Sequence, residues 1–167
     1  MDNANLATYL NDHLAGATAA LDILAHVEKT YPGTELGRLL AELHSEIAED
    51  RRALEALMGR LGVGVSGLRQ AATWLGAKAA EVKLRRDDRA GGELRLLEAL
   101  DIIASGVEGK RALWRALAAA AEETPGLRQA DYAQLERRAE DQRSRLEGVR
   151  LGAAKAALGS SSDGSTA

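Results

Sequence analysis

Apolar residues recur along this chain every three or four positions, which is the spacing of one face of an α-helix. Two Pro-Gly pairs, at 32–33 and 125–126, interrupt the pattern. Proline disfavours helix in the residue before it and glycine frees the turn, so each pair ends a helix. The pattern predicts five helices, at about residues 6–29, 35–61, 68–84, 93–123 and 129–158.

The short Pro-Gly loops make the first and second helices, and the fourth and fifth, antiparallel neighbours. The shorter third helix then connects the two hairpins. We therefore expect an all-α four-helix bundle with a short crossover helix, forming a single domain over residues 1–158. Residues 159–167 are rich in serine and glycine and poor in apolar residues, so they are predicted to be a disordered tail.

Composition narrows the possible classes of function. The formal net charge of −3 argues against a protein that binds nucleic acid by neutralising phosphates. The chain has no cysteine, which excludes disulfides and thiolate chemistry. The first residues show no basic, apolar signal sequence, and no apolar run reaches the length of a membrane span. The expectation is a cytoplasmic protein that binds neither nucleic acid nor membrane.

Each of the four long helical stripes is interrupted by one polar residue: His13, Asp50, Lys110 and Gln142 in chain order. On a helical wheel each falls among apolar neighbours. His13 and Asp50 are nearly equidistant from the first Pro-Gly turn, and Lys110 and Gln142 from the second. Antiparallel pairing would place each pair at one level, which predicts a buried polar layer across the bundle.

This layer has two interpretations. It is a structural device that pairs charges and fixes helix register at some cost in stability. Alternatively, it is a variant of a metal or small-molecule site, in which His13 and Asp50 bind and Lys110 and Gln142 complete the pocket. Perturbed titration is expected of buried groups under both interpretations, so it does not separate them.

Two antiparallel hairpins, a crossover and a polar layer resemble the ferritin-like superfamily. The stretches at 9–13, 43–50 and 106–110 are also similar to uncharacterised bacterial ferritin-like proteins, and the similarity covers nearly all of residues 5–158. The resemblance implies the ferritin-like bundle fold. By analogy with the family it also implies a stress-related role.

The di-iron members of that superfamily carry Glu-x-x-His motifs that bind two metals. Here the residues three positions before His13, His26 and His44 are leucine, isoleucine and alanine, and the second hairpin has no histidine. No catalytic, cofactor-binding or metal-binding residue is therefore assigned, and no cofactor is expected.

The sequence thus favours a non-catalytic ferritin-like bundle that acts as a scaffold or through contacts with an unidentified protein partner. A homodimer through a helical face is a further expectation, because exposed apolar residues such as Trp74 would seal it. The alternative is a metal- or ligand-binding enzyme with its site around His13 and Asp50.

Overall fold

The computed structural model describes residues 4–65 and 92–159, and within these two ranges it contains four long α-helices and no strand. The predicted all-α class is confirmed there. The predicted crossover helix at 68–84, Trp74 and the tail beyond Gly159 lie outside the described residues. The helices are α1 (Ala4–Glu28), α2 (Glu35–Arg60), α3 (Glu93–Ala120) and α4 (Tyr132–Leu158), with a short 3₁₀ helix at Pro125–Leu127.

Side-chain caps set the starts of two helices. The Thr34 hydroxyl accepts a hydrogen bond from the Gly37 N–H at 3.0 Å, so α2 begins immediately after Thr34. The Asp131 carboxylate accepts one from the Gln134 N–H at 2.9 Å. Because of that cap and the 3₁₀ turn before it, α4 begins at Tyr132 rather than near the predicted residue 129.

Shared apolar contacts give the helix directions. Leu10, near the start of α1, packs in one cluster with Leu117 near the end of α3, so these helices are antiparallel. Leu40, early in α2, packs in another cluster with Leu97, early in α3, so α2 and α3 are parallel. The end of α2 and the start of α3 therefore lie at opposite ends of the bundle.

The core divides into two apolar clusters along the bundle axis. The first surrounds Leu40, Leu43 and Leu100, and the second surrounds Leu57 and Trp114. On α2, α3 and α4 the polar residues of the predicted layer stand at the boundary between the two clusters. The residues on either side of that boundary are Ile47 and Leu54 on α2, Val107 and Leu113 on α3, and Leu146 and Tyr132 on α4.

The inner face of α1 differs from that of an ideal helical wheel. On the wheel Leu10, Ala17, Leu21 and Leu24 share one side, but only Leu10 and Leu24 are buried, whereas Ala17 and Leu21 are partly buried. Leu14 is buried in the first half of the helix, and Ile23 and Val27 are buried in the second. The buried face turns along this 25-residue helix because α1 packs against both α2 and α3, whereas one averaged wheel assumes a single straight stripe.

None of the described helices has the length and apolar character needed to cross a membrane.

Candidate functional site

Asp50 is the centre of a hydrogen-bonded network between helices. Its carboxylate is 1 % exposed. One oxygen, Oδ2, accepts from Lys110 Nζ at 2.5 Å and from Gln142 Nε2 at 3.2 Å. The other, Oδ1, accepts from the guanidinium of Arg138. Both oxygens of this buried carboxylate are thus satisfied by donors from α3 and α4.

Lys110 and Gln142 also bind each other. The Lys110 ammonium donates to the Gln142 side-chain oxygen, while the amide nitrogen of the same glutamine donates to Asp50. Gln142 is fully buried. Burial lowers the pKa of Lys110, and the negative charge of Asp50 opposes that shift. We call Asp50, Lys110, Arg138 and Gln142 the mid-bundle network.

Arg138 was not among the predicted layer residues, because it lies where arginines alternate with acidic residues along α4, a pattern that is typical of an exposed helical face. It instead reaches across to α2, where it binds Asp50 and lies 3.2 Å from the Glu49 carboxylate. Its side chain is 31 % exposed, so it joins the buried network to solvent. The sequence feature that could have assigned Arg138 to the layer is its position four residues before Gln142, because residues with that spacing share one helical face.

A second arginine extends this polar contact between α2 and α4. Arg145 lies 2.5 Å from Glu46 on α2 and 2.9 Å from Asp141 on its own helix. These side chains are about a third exposed or more, so solvent screens the pairs and each contributes little to stability, roughly 0–1 kcal/mol. Together with Arg138, Arg145 makes polar contacts from α4 to α2.

His13 does not join the mid-bundle network. It is half-buried at the edge of the α1 face, and within the described ranges its imidazole makes no hydrogen bond. Its ring meets the edge of Tyr9 at a centroid distance of 4.6 Å. Burial lowers the pKa of His13, and the negative charge of Asp12 acts in the opposite direction. The shift in the buried face of α1 explains why His13 misses the layer.

A cavity of about 370 Å³ lies between α1 and α3, with α2 beneath it; we call it the α1–α3 cavity. His13, Asp50 and Lys110 all line it, whereas Gln142 does not. Small residues leave this space on both sides, and leucine, isoleucine, valine and tryptophan side chains form most of the remaining wall, with Asp12, Arg51 and Ser105 as further polar residues. The small lining residues are Gly16, Ala17 and Ala20 on α1 and Gly106 and Gly109 on α3.

Within residues 4–65 and 92–159, no group of three or more histidine, aspartate, glutamate or cysteine side chains is placed to hold a metal ion. The alternative hypothesis pairs His13 with Asp50. Asp50 already accepts from three side chains, and His13, on α1, is not among them.

Asn11 is a buried polar residue that sequence reasoning missed. It is 8 % exposed, and its amide donates to the Ala7 carbonyl at 2.8 Å and to the Gly64 carbonyl at 3.2 Å. It ties the first part of α1 to the segment that follows α2. Its place beside Leu10 and three residues before Leu14 was the only sequence signal.

Compared with protein-family models, with curated proteins and with solved structures, the chain matches none of them.

Proposed function

We propose that this protein is a non-catalytic helical bundle that acts as a scaffold or interaction protein, and that its mid-bundle network is a structural device. The observation that carries the proposal is the state of Asp50, which is 1 % exposed and has both oxygens hydrogen-bonded. Three donors on two other helices bind these oxygens. A general acid, base or nucleophile needs an open face within reach of a substrate, whereas about three of the four acceptor sites of this carboxylate are used within the fold.

The network sets helix alignment rather than overall stability. Asp50 belongs to α2, Lys110 to α3, and Arg138 and Gln142 to α4, so sliding any one of these helices by a turn separates the partners. A buried ion pair of this kind seldom stabilises a fold more than apolar residues of similar volume would. The network therefore serves to fix the register of α2, α3 and α4 relative to one another.

The same proposal includes a ferritin-like arrangement of the helices. Its support is the parallel direction of α2 and α3 between two antiparallel pairs, which is the order that a bundle with one long crossover requires. The stress-related and cytoplasmic parts of the proposal rest on the sequence resemblance and on the sequence pattern.

The competing hypothesis is a metal-binding enzyme that uses His13 and Asp50. Titration of the purified protein with Fe²⁺, Mn²⁺ or Zn²⁺ by calorimetry separates the two. We expect no stoichiometric binding, and no oxygen consumption when Fe²⁺ is added. Stoichiometric binding that is lost in His13→Ala but kept in His26→Ala would overturn the proposal. His26 is the matched control because it lies exposed on the same helix.

A further inference from the structure

We propose that the α1–α3 cavity is a binding site for a small, neutral, largely apolar molecule that carries one hydrogen-bond-accepting oxygen. The space measures about 370 Å³, within the range of roughly 300–1,000 Å³ that is usual for small-molecule sites. Its wall is mainly apolar, with Leu54, Val107 and Trp114 among the lining residues. Size and wall chemistry therefore suit a compact apolar ligand.

An unused donor in the wall argues for an acceptor on that ligand. The Lys110 side chain lines the cavity and is 12 % exposed, and its ammonium has three donors of which the network uses two. A buried donor without a partner costs roughly 1–3 kcal/mol, so a ligand oxygen that accepted the third hydrogen would recover that cost.

The charges around the cavity argue that the ligand is neutral. Lys110 and Arg138 are balanced by Asp50 and Glu49, and the Arg51 guanidinium lies 2.9 Å from the Glu55 carboxylate. Asp12, the remaining charged group of the wall, is exposed to solvent and keeps its hydration there. A charged ligand would lose hydration without meeting an unpaired counter-charge. His13 is consistent with this, since the lowering of its pKa by burial favours the uncharged imidazole.

Gly109 offers a way to close the space without disturbing the fold. A Cβ placed on this glycine meets no neighbouring atom within 4 Å, although the residue lines the cavity. Gly109→Leu should fill the cavity and also favour the helix, because leucine has the higher helix propensity. Gly148→Leu is the matched control, since a Cβ there also meets nothing within 4 Å and the residue is exposed on α4.

The test uses 4-fluoroacetophenone and 4-fluorocumene, two probes of nearly equal shape of which only the first has an acceptor oxygen. Binding is followed by fluorine NMR of the probe and by the indole N–H resonance of Trp114, assigned with a Trp74→Phe variant. We expect the ketone to bind saturably and to shift that resonance. The hydrocarbon should bind at least about tenfold more weakly, which corresponds to about 1.4 kcal/mol. Gly109→Leu should abolish binding of the ketone, whereas Gly148→Leu should leave it unchanged.

Three results would overturn the inference: no saturable binding of either probe, equal binding of both, or binding that survives Gly109→Leu. None of these three results would contradict the scaffold proposal, because the mid-bundle network forms without a ligand. The metal titration tests that proposal separately. If Gly109→Leu proved unfolded by circular dichroism, Ala17→Leu on the opposite wall would take its place with the same expected loss.

Discussion

Lys110→Met tests whether the mid-bundle network is energetically coupled. The substitution keeps an unbranched apolar stem and removes the ammonium that binds Asp50 and Gln142. Removing one partner of a buried ion pair costs about 3–5 kcal/mol, because the other charge stays buried. Asp50 would keep Arg138, whose side chain is 31 % exposed, so we expect a loss near the lower end, about 3 kcal/mol.

Replacing the buried members together should cost less than removing Lys110 alone. In the triple variant Asp50→Leu, Lys110→Met, Gln142→Leu no buried charge or amide is left unpaired, and Arg138 keeps Glu49 and solvent. We expect its free energy of unfolding to lie within about 1 kcal/mol of the parent protein. Lys155→Met is the control, because Lys155 is exposed, and it should change stability by no more than about 0.5 kcal/mol.

Urea unfolding followed by far-ultraviolet circular dichroism measures all three variants, with unchanged m-values as the sign that they unfold as the parent does. A Lys110→Met protein within about 1 kcal/mol of the parent would show that Asp50 and Lys110 are not coupled, since loss of one partner of a buried pair should destabilise by more than that. A triple variant less stable than the single one would show the same.

Three further predictions concern the helices around the network. The unfolded chain takes up a proton at His13 near pH 6.5, while the folded state does so only at lower pH. Stability should therefore fall as the pH drops below about 6.5, and His13→Gln should weaken this dependence in urea titrations at pH 7.5 and 5.0 more than His26→Gln does. Leu43→Ala should cost about 2–5 kcal/mol in the same assay, because Leu43 is fully buried. Gly37→Ala should lower the melting temperature, since its Cβ would collide with a backbone carbonyl, whereas Gly59→Ala, with open space around it, should raise it.

Each of these has a result that contradicts it. Equal pH dependence in the two histidine variants would show that His13 titrates alike in the folded and unfolded chains. A loss below about 1 kcal/mol for Leu43→Ala would place that leucine outside the packed core. Equal melting temperatures for the two glycine variants would show that a Cβ at Gly37 does not collide with the backbone carbonyl at the start of α2.

Local pattern was enough to predict the four long helices of the described residues and three partners of the network. Asp50, Lys110 and Gln142 interrupt apolar stripes, and their equal distances from two turns placed them at matching depths. That inference worked because α2, α3 and α4 each present one steady face to the core. Helix starts were less accurate, since the Asp131 cap and the turn before it shift the start of α4.

The remaining features depend on how helices meet, which periodicity in one helix does not encode. Arg138 joins Asp50 because α4 approaches α2 closely enough for a long side chain to cross. His13 misses the network because α1 divides its buried face between two neighbours. The α1–α3 cavity arises where glycine and alanine of two helices stand opposite each other, and neither helix alone shows it.

The central claim, that the middle of this bundle satisfies its own polar groups, is tested most directly by a crystal structure of protein purified without chelator, with anomalous scattering data. We expect Lys110 Nζ within hydrogen-bond distance of both Asp50 and Gln142, and no anomalous peak beside the carboxylate. A metal ion bound by Asp50 and His13, or a Lys110 side chain turned out to solvent, would contradict it.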